Sequence, residues 1–138
     1  MSKIKLVAFD EEDLEVISSC CQDGVLKIGE MQYFAGERRF VLTLNRYVWE
    51  NKKSKERRRS VLHFERVNGV KVSGINRNEA EMVTSLLAVM FEKTDAPGGT
   101  IELVFAGDGA IRLEVECIEA QLGDLDAAWE ASSTPLHE

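Results

Sequence analysis

Apolar and polar residues alternate most cleanly between Thr100 and Glu119, TIELVFAGDGAIRLEVECIE. Ile101, Leu103 and Phe105 fall on one face; after Ala106-Gly107-Asp108-Gly109 the alternation resumes at Ile111, Leu113, Val115 and Cys117, interleaved with Arg112, Glu114 and Glu116. Period two, broken by Gly-Asp-Gly, predicts a β-hairpin. A two-residue Asp108-Gly109 turn would set Ile101, Leu103 and Phe105 beside Arg112 and Glu114, and a slip of one residue sends a whole side-chain set to the wrong face. A three-residue loop, Ala106 to Asp108, instead pairs Leu103 with Ile111, Ile101 with Leu113 and Glu102 with Arg112. The apolar face stays continuous and gains a favourable cross-strand charge pair. Gly109 is then expected to carry the positive φ of a bulge.

Elsewhere the pattern is shorter-ranged. Ile4 to Phe9 reads as a leading strand. Asp10 then caps a helix whose first turn, Glu11, Glu12 and Asp13, suits the positive end of the dipole. Leu14, Val16, Ile17 and Cys21 supply its apolar stripe, and Gly24 is the expected C-terminal glycine. Val25 to Phe34 and Arg39 to Trp49, joined by Ala35-Gly36-Glu37, form a second hairpin candidate in which Phe40, Leu42 and Leu44 alternate with Val41, Thr43 and Asn45. Ser60 to Phe64 returns to strand alternation, and Asn68-Gly69 marks a turn or bulge before Val70 to Ile75. Residues 78–93 carry two patterns. Met82, Val83, Leu86, Leu87 and Met90 fit a helical stripe behind an Asn78/Glu81 capping box, whereas Leu87, Val89 and Phe91 alternate as a strand. We expect a helical turn near residues 77–82 followed by a strand to residue 92. Ala120 to Glu130 presents Leu122, Leu125 and Trp129 at helical spacing, weakened by Gly123. The last residues, 132–138, read as a disordered tail.

The expected fold is therefore α+β: a mainly antiparallel sheet of about six or seven strands, curled as a roll or open barrel, with an N-terminal acidic helix and a short C-terminal helix. At 138 residues, residues 1–131 make a single domain long enough to bury a core. No apolar run approaches the roughly 20 residues of a membrane helix. The acidic turn at Asp10 to Asp13 stands where a signal peptide would be apolar, so a cytoplasmic protein is expected. Adjacent Cys20 and Cys21 with a distant Cys117 form neither a disulfide framework nor C-x-x-C, and are read as small packing residues.

Charge changes the picture more. The chain carries −7 overall, yet Asn51 to Arg59 holds six basic residues and one acidic, leaving −12 for the remainder. Lys52, Lys53, Lys55, Arg57, Arg58 and Arg59 form an exposed basic loop beside Tyr47 and Trp49, a pairing of charge and aromatic surface suited to an acidic protein or a phosphate-bearing ligand. Nucleic acid is a third class of partner, disfavoured by the negative net charge.

Catalytic chemistry finds little support. His63 and His137 belong to no spaced set of metal ligands, and there is no G-x-S-x-G elbow, phosphate-loop motif or dinucleotide fingerprint. Catalytic, metal and cofactor sites are thus all expected to be absent. Glu102, Glu114 and Glu116 are close enough in the predicted register to be weighed as a carboxylate pair or trio, but a solvent face balanced by Arg112 accounts for them.

The segments DEEDLEVISSCCQDGVLKIG, ERRFVLTLNRYVWE, RRRSVLHFERVNGV and FAGDGAIRLEVECIEAQLGDL resemble those of a small bacterial family known only as a domain of unknown function. The resemblance spans nearly the whole chain. It implies a stand-alone cytoplasmic domain, in genomic neighbourhoods that include biosynthetic genes, and brings no activity or site residues with it. The leading functional expectation is a non-enzymatic interaction or regulatory module contacting an acidic partner through residues 52–59. The alternative is a small-ligand-binding protein or enzyme using the open sheet face.

Overall fold

The structure, a computed structural model, describes residues 3–48 and 56–125. The chain runs β1 (Lys5–Ala8), α1 (Glu11–Cys21), β2 (Gly24–Lys27), β3 (Met31–Phe34), β4 (Arg39–Tyr47), β5 (Arg57–Phe64), β6 (Val67–Ser73), β7 (Val83–Lys93), β8 (Gly99–Phe105), β9 (Ala110–Val115) and β10 (Ala120–Asp124). All ten strands join one antiparallel sheet in the order β1-β10-β5-β4-β2-β7-β8-β9-β6, with β3 paired to β4 off this path. The sheet is not closed. It nevertheless bends back on itself, because Tyr33 in β3 donates its hydroxyl to the Val67 carbonyl of the end strand β6 at 2.9 Å, and Val67 N–H bonds Arg38 O at 2.9 Å.

The helix forms as its sequence dictates. Asp13 N–H donates to the Asp10 carboxylate at 2.8 Å, and Leu14, Ile17 and Cys21 are buried while Val16 turns outward. The left-handed residue after the helix is Asp23 (φ 64°); Gly24, expected in that role, already belongs to β2. The helix packs against β7, where the Ser18 hydroxyl accepts from Val89 N–H at 2.8 Å beside a bulge between Leu86 and Ala88.

The β8–β9 hairpin has the expected register, Ile101 opposite Leu113, Glu102 opposite Arg112 and Leu103 opposite Ile111. Its loop is a tight turn, Ala106–Asp108, in which Gly107 leaves helical φ/ψ. The positive φ falls on Gly107 (77°) and Asp108 (67°), and Gly109 is extended. Gly109 is glycine for space instead, since a Cβ there would lie 2.7 Å from Ile75 Cγ1. Ile101, Leu103, Phe105, Leu113, Leu62 and Phe64 sit in one continuous core. At roughly 1.5–3 kcal/mol for each fully buried large apolar side chain, this face carries much of the stability.

Three expectations are corrected. Among the described residues ten strands replace six or seven, because segments of four or five residues such as β1, β3 and β10 are held by ladder partners rather than by a long pattern of their own. The C-terminal helix is not formed over Ala120–Asp124, which is a strand between β1 and β5; Ala120 and Leu122 are buried at period two. The rest of that expected helix and the tail, residues 126–138, lie outside the described residues, as do residues 49–55. Before β7 there are two successive turns, Glu79 N–H to Asn76 O and Met82 N–H to Glu79 O, both 3.0 Å, in place of a helical turn. The capping box is displaced: Asn76 Oδ1 accepts from Asn78 N–H at 3.0 Å, and Glu81 pairs with Lys27. The strand after it, to Lys93, is as expected, and the Asn68-Gly69 irregularity is a bulge within β6.

Candidate functional site

Half of the basic segment is part of the sheet. Arg57, Arg58 and Arg59 open β5, facing Tyr47, Arg46 and Asn45 across the β4 ladder, so they do not belong to a loop. The ladder forms because the alternation of β4 continues to Tyr47 and takes whatever follows into register. The Arg57 guanidinium lies 5.1 Å from the Tyr47 ring centroid and donates to the Asn45 carbonyl at 3.1 Å. Arg58 lies 3.7 Å from the Glu56 carboxylate, and Arg59 is paired with Glu30. Burial pushes the Glu30 carboxyl up, but the Lys27 N–H and the Arg59 guanidinium outweigh it and hold it below the usual range. Val48 N–H bonds Glu56 O at 3.0 Å, bringing the two ends of the intervening segment together. Lys52, Lys53, Lys55 and Trp49 lie outside the described residues.

Beneath this end of the sheet is a buried ion pair that composition and motifs did not reveal. Arg46 and the Asp124 carboxylate are both fully buried, and two parallel N–H···O bonds join them, Nε to Oδ1 and Nη2 to Oδ2, each 2.8 Å. The Ser60 hydroxyl donates to Asp124 Oδ1 at 2.6 Å and Ile4 N–H to Oδ2 at 3.1 Å. Burial raises the carboxyl, and these three donors, Arg46 foremost, more than offset it and hold it below the ordinary carboxylate value. Cys21 is nearby and buried; desolvation first, and then Cys20, push its thiol up to about 12, which makes it a poor nucleophile. The cluster ties β1, β4, β5 and β10 together and offers no open face for chemistry.

The weighed carboxylates are dispersed among separate partners. Glu102 lies 3.3 Å from Arg112, Glu114 lies 3.6 Å from Lys71, and Glu116, past the end of β9, pairs with Arg38. His63 Nδ1 is 2.8 Å from Glu65. Among the described residues no group of three or more His, Cys, Asp or Glu could hold a metal ion, and no helix is long and apolar enough to cross a membrane.

What the bent sheet does create is a cleft. β3 pairs with β4 on one side and β6 with β9, and between β3 and β6 the wall is pinned only at its ends. One pin is the Tyr33–Val67 bond and the other the bond from Gly29 N–H to Ala80 O, 2.8 Å. The space between has a volume of about 480 Å³. Met31 and Tyr33 line one side, Val70 and Val72 the other, with Phe40 and Ile111 at the floor and Ile75 and Arg77 toward one end. Met31, Tyr33, Val70, Val72 and Ile75 are partly buried and packed against the core. Period-two alternation in both strands was legible, but their juxtaposition depends on the return of β6 across the whole sheet. That size and lining suit a small-molecule site.

The chain matches the family described as "Protein of unknown function (DUF2948)" over residues 4–137, and it belongs to that family. No curated protein and no solved structure was found to match it.

Proposed function

We propose that this member of the DUF2948 family is a non-enzymatic binding protein whose ligand site is the cleft between β3 and β6. One observation carries this: a gap of about 480 Å³ opens between two strands that belong to the same sheet but do not pair with each other, lined by the partly buried apolar side chains of Met31, Tyr33, Val70, Val72 and Ile75. Leaving such surface open costs stability at about 25 cal/mol per Å² unless something covers it. Binding without catalysis is favoured because Glu102, Glu114 and Glu116 are each engaged in a separate ion pair and Cys21 is buried with a raised thiol. A neutral naphthylamine dye that brightens in apolar surroundings tests the site. The wild type is expected to bind it, and Val72→Trp, which fills the gap, is expected to abolish binding while keeping the wild-type circular dichroism. Equal binding by both proteins would refute the cleft as the site.

A second reading, contact with an acidic protein or phosphate-bearing partner through the basic segment, rests on its +5 charge against −12 for the remainder. Arg57, Arg58 and Arg59 are engaged within the fold, so this reading is tested at Lys52, Lys53 and Lys55, which lie outside the described residues. Serine at those three positions is expected to remove any partner that copurifies at low salt. Retention of the partner would exclude the segment, and nuclease sensitivity would mark it as nucleic acid.

A further inference from the structure

The charge distribution around the cleft specifies the ligand further, resting on the cleft reading above. The chain carries 24 acidic residues, yet among the described residues none lines the cleft. Among the described residues the only charged group in its lining is Arg77, at the end where the chain leaves β6 beyond Ile75. Arg77 is exposed, and among the described residues it takes part in no ion pair. Most other described arginines are tied: Arg38 to Glu116, Arg39 to Glu65, Arg46 to Asp124, Arg59 to Glu30, Arg66 to Glu119 and Arg112 to Glu102. An unneutralised guanidinium beside an apolar gap is complementary to a molecule with an apolar body and one anionic head.

We propose that the cleft binds an amphipathic carboxylate, its aliphatic body lying between Met31 and Tyr33 on β3 and Val70 and Val72 on β6, its carboxylate on Arg77. A planar guanidinium meets a carboxylate through two parallel N–H···O bonds and neutralises its single charge. A phosphate monoester would bring close to two negative charges to one cation in a protein of net charge −7, so it fits less well. The apolar body supplies affinity, at about 0.8 kcal/mol for each methylene removed from water, and Arg77 supplies discrimination at the rim.

The test displaces the naphthylamine dye with decanoate and with decanol, which share one chain and differ in the head, using wild type, Arg77→Gln and Val72→Trp. The ratio of decanoate to decanol affinity is the readout, so that differences in hydration of the two heads cancel between proteins. Arg77→Gln is expected to lower that ratio by about three- to fivefold, the scale of a solvent-exposed ion pair, by weakening decanoate and leaving decanol unchanged. The loss is expected to shrink in high salt. An unchanged ratio would overturn the carboxylate assignment while leaving the cleft intact. Undiminished binding of both ligands by Val72→Trp would overturn the cleft itself. Should Val72→Trp fail to fold, Val70→Trp on the same wall gives the same comparison.

Discussion

Replacing Arg46 by methionine removes a buried cation and leaves the Asp124 carboxylate in place. Both side chains have no solvent exposure, and two bonds of 2.8 Å are lost at once. Breaking a buried pair on one side typically costs 3–5 kcal/mol, because the remaining charge stays desolvated. Here Ser60 Oγ at 2.6 Å and Ile4 N–H at 3.1 Å still serve the carboxylate, which places the expected loss near the lower end, about 3 kcal/mol. That is roughly a hundredfold in the folding constant, against a typical total stability of 5–15 kcal/mol. Arg46→Met/Asp124→Asn removes the charge and keeps one acceptor oxygen, which can serve Ile4 N–H while the amide NH2 faces the Ser60 hydroxyl, and should recover about 1–2 kcal/mol of the loss. The two sites are therefore strongly coupled. Protonation gives an independent sign. In the wild type Asp124 is held below its ordinary value of 3.8, so its contribution is present above that value and lost as pH falls through the lowered one. Without Arg46 burial raises the carboxyl, the folded state takes up the proton first, and the deficit of Arg46→Met narrows as the pH falls toward 4. Urea unfolding at neutral and mildly acidic pH measures each quantity. Losses below about 1 kcal/mol for Arg46→Met, additivity with Asp124→Asn, or a deficit that widens in acid would refute the account of this pair.

Other outcomes follow from the packing. Leu103→Ala, at the buried centre of the β8–β9 hairpin, should cost about 2–5 kcal/mol by urea unfolding. Gly109→Ala brings a Cβ to 2.7 Å from Ile75 and should cost about 1–3 kcal/mol, also weakening dye binding because Ile75 lines the cleft. Asp10→Ala removes the 2.8 Å cap on Asp13 N–H and should cost about 0.5–2 kcal/mol, read from the thermal midpoint. Cys21, buried with its thiol raised to about 12, should react with a thiol reagent only at the rate at which the protein unfolds, seen by mass spectrometry of the labelled peptide.

Legibility in the sequence followed the range of the interactions. The β8–β9 register was readable because both partners and their turn lie within twenty residues, and one alignment alone keeps the apolar face and sets Glu102 against Arg112. The N-terminal helix was readable because its cap and its acidic first turn are local. β10 was not, since Leu122 is buried by a slot between β1 and β5 whose partners Leu6 and Leu62 lie far away in the chain. Arg46 and Asp124 are 78 positions apart, and nothing in either neighbourhood marks the other. The basic run was visible as charge, but the β4–β5 ladder decided that Arg57 to Arg59 serve the sheet. The cleft is the most distant consequence of all: Met31 and Val72 face it together only because the end strand of the sheet returns to β3. Gly109 is required for its smallness, since its backbone is extended and a Cβ there would meet Ile75.

The central claim, that the gap between β3 and β6 is where this protein binds, is tested most directly by following backbone amide resonances during a decanoate titration. Saturable shifts concentrated at residues 31–34 and 70–77 are the predicted result. Shifts concentrated instead at residues 47–59, or none above those of a decanoate-free buffer control, would contradict it.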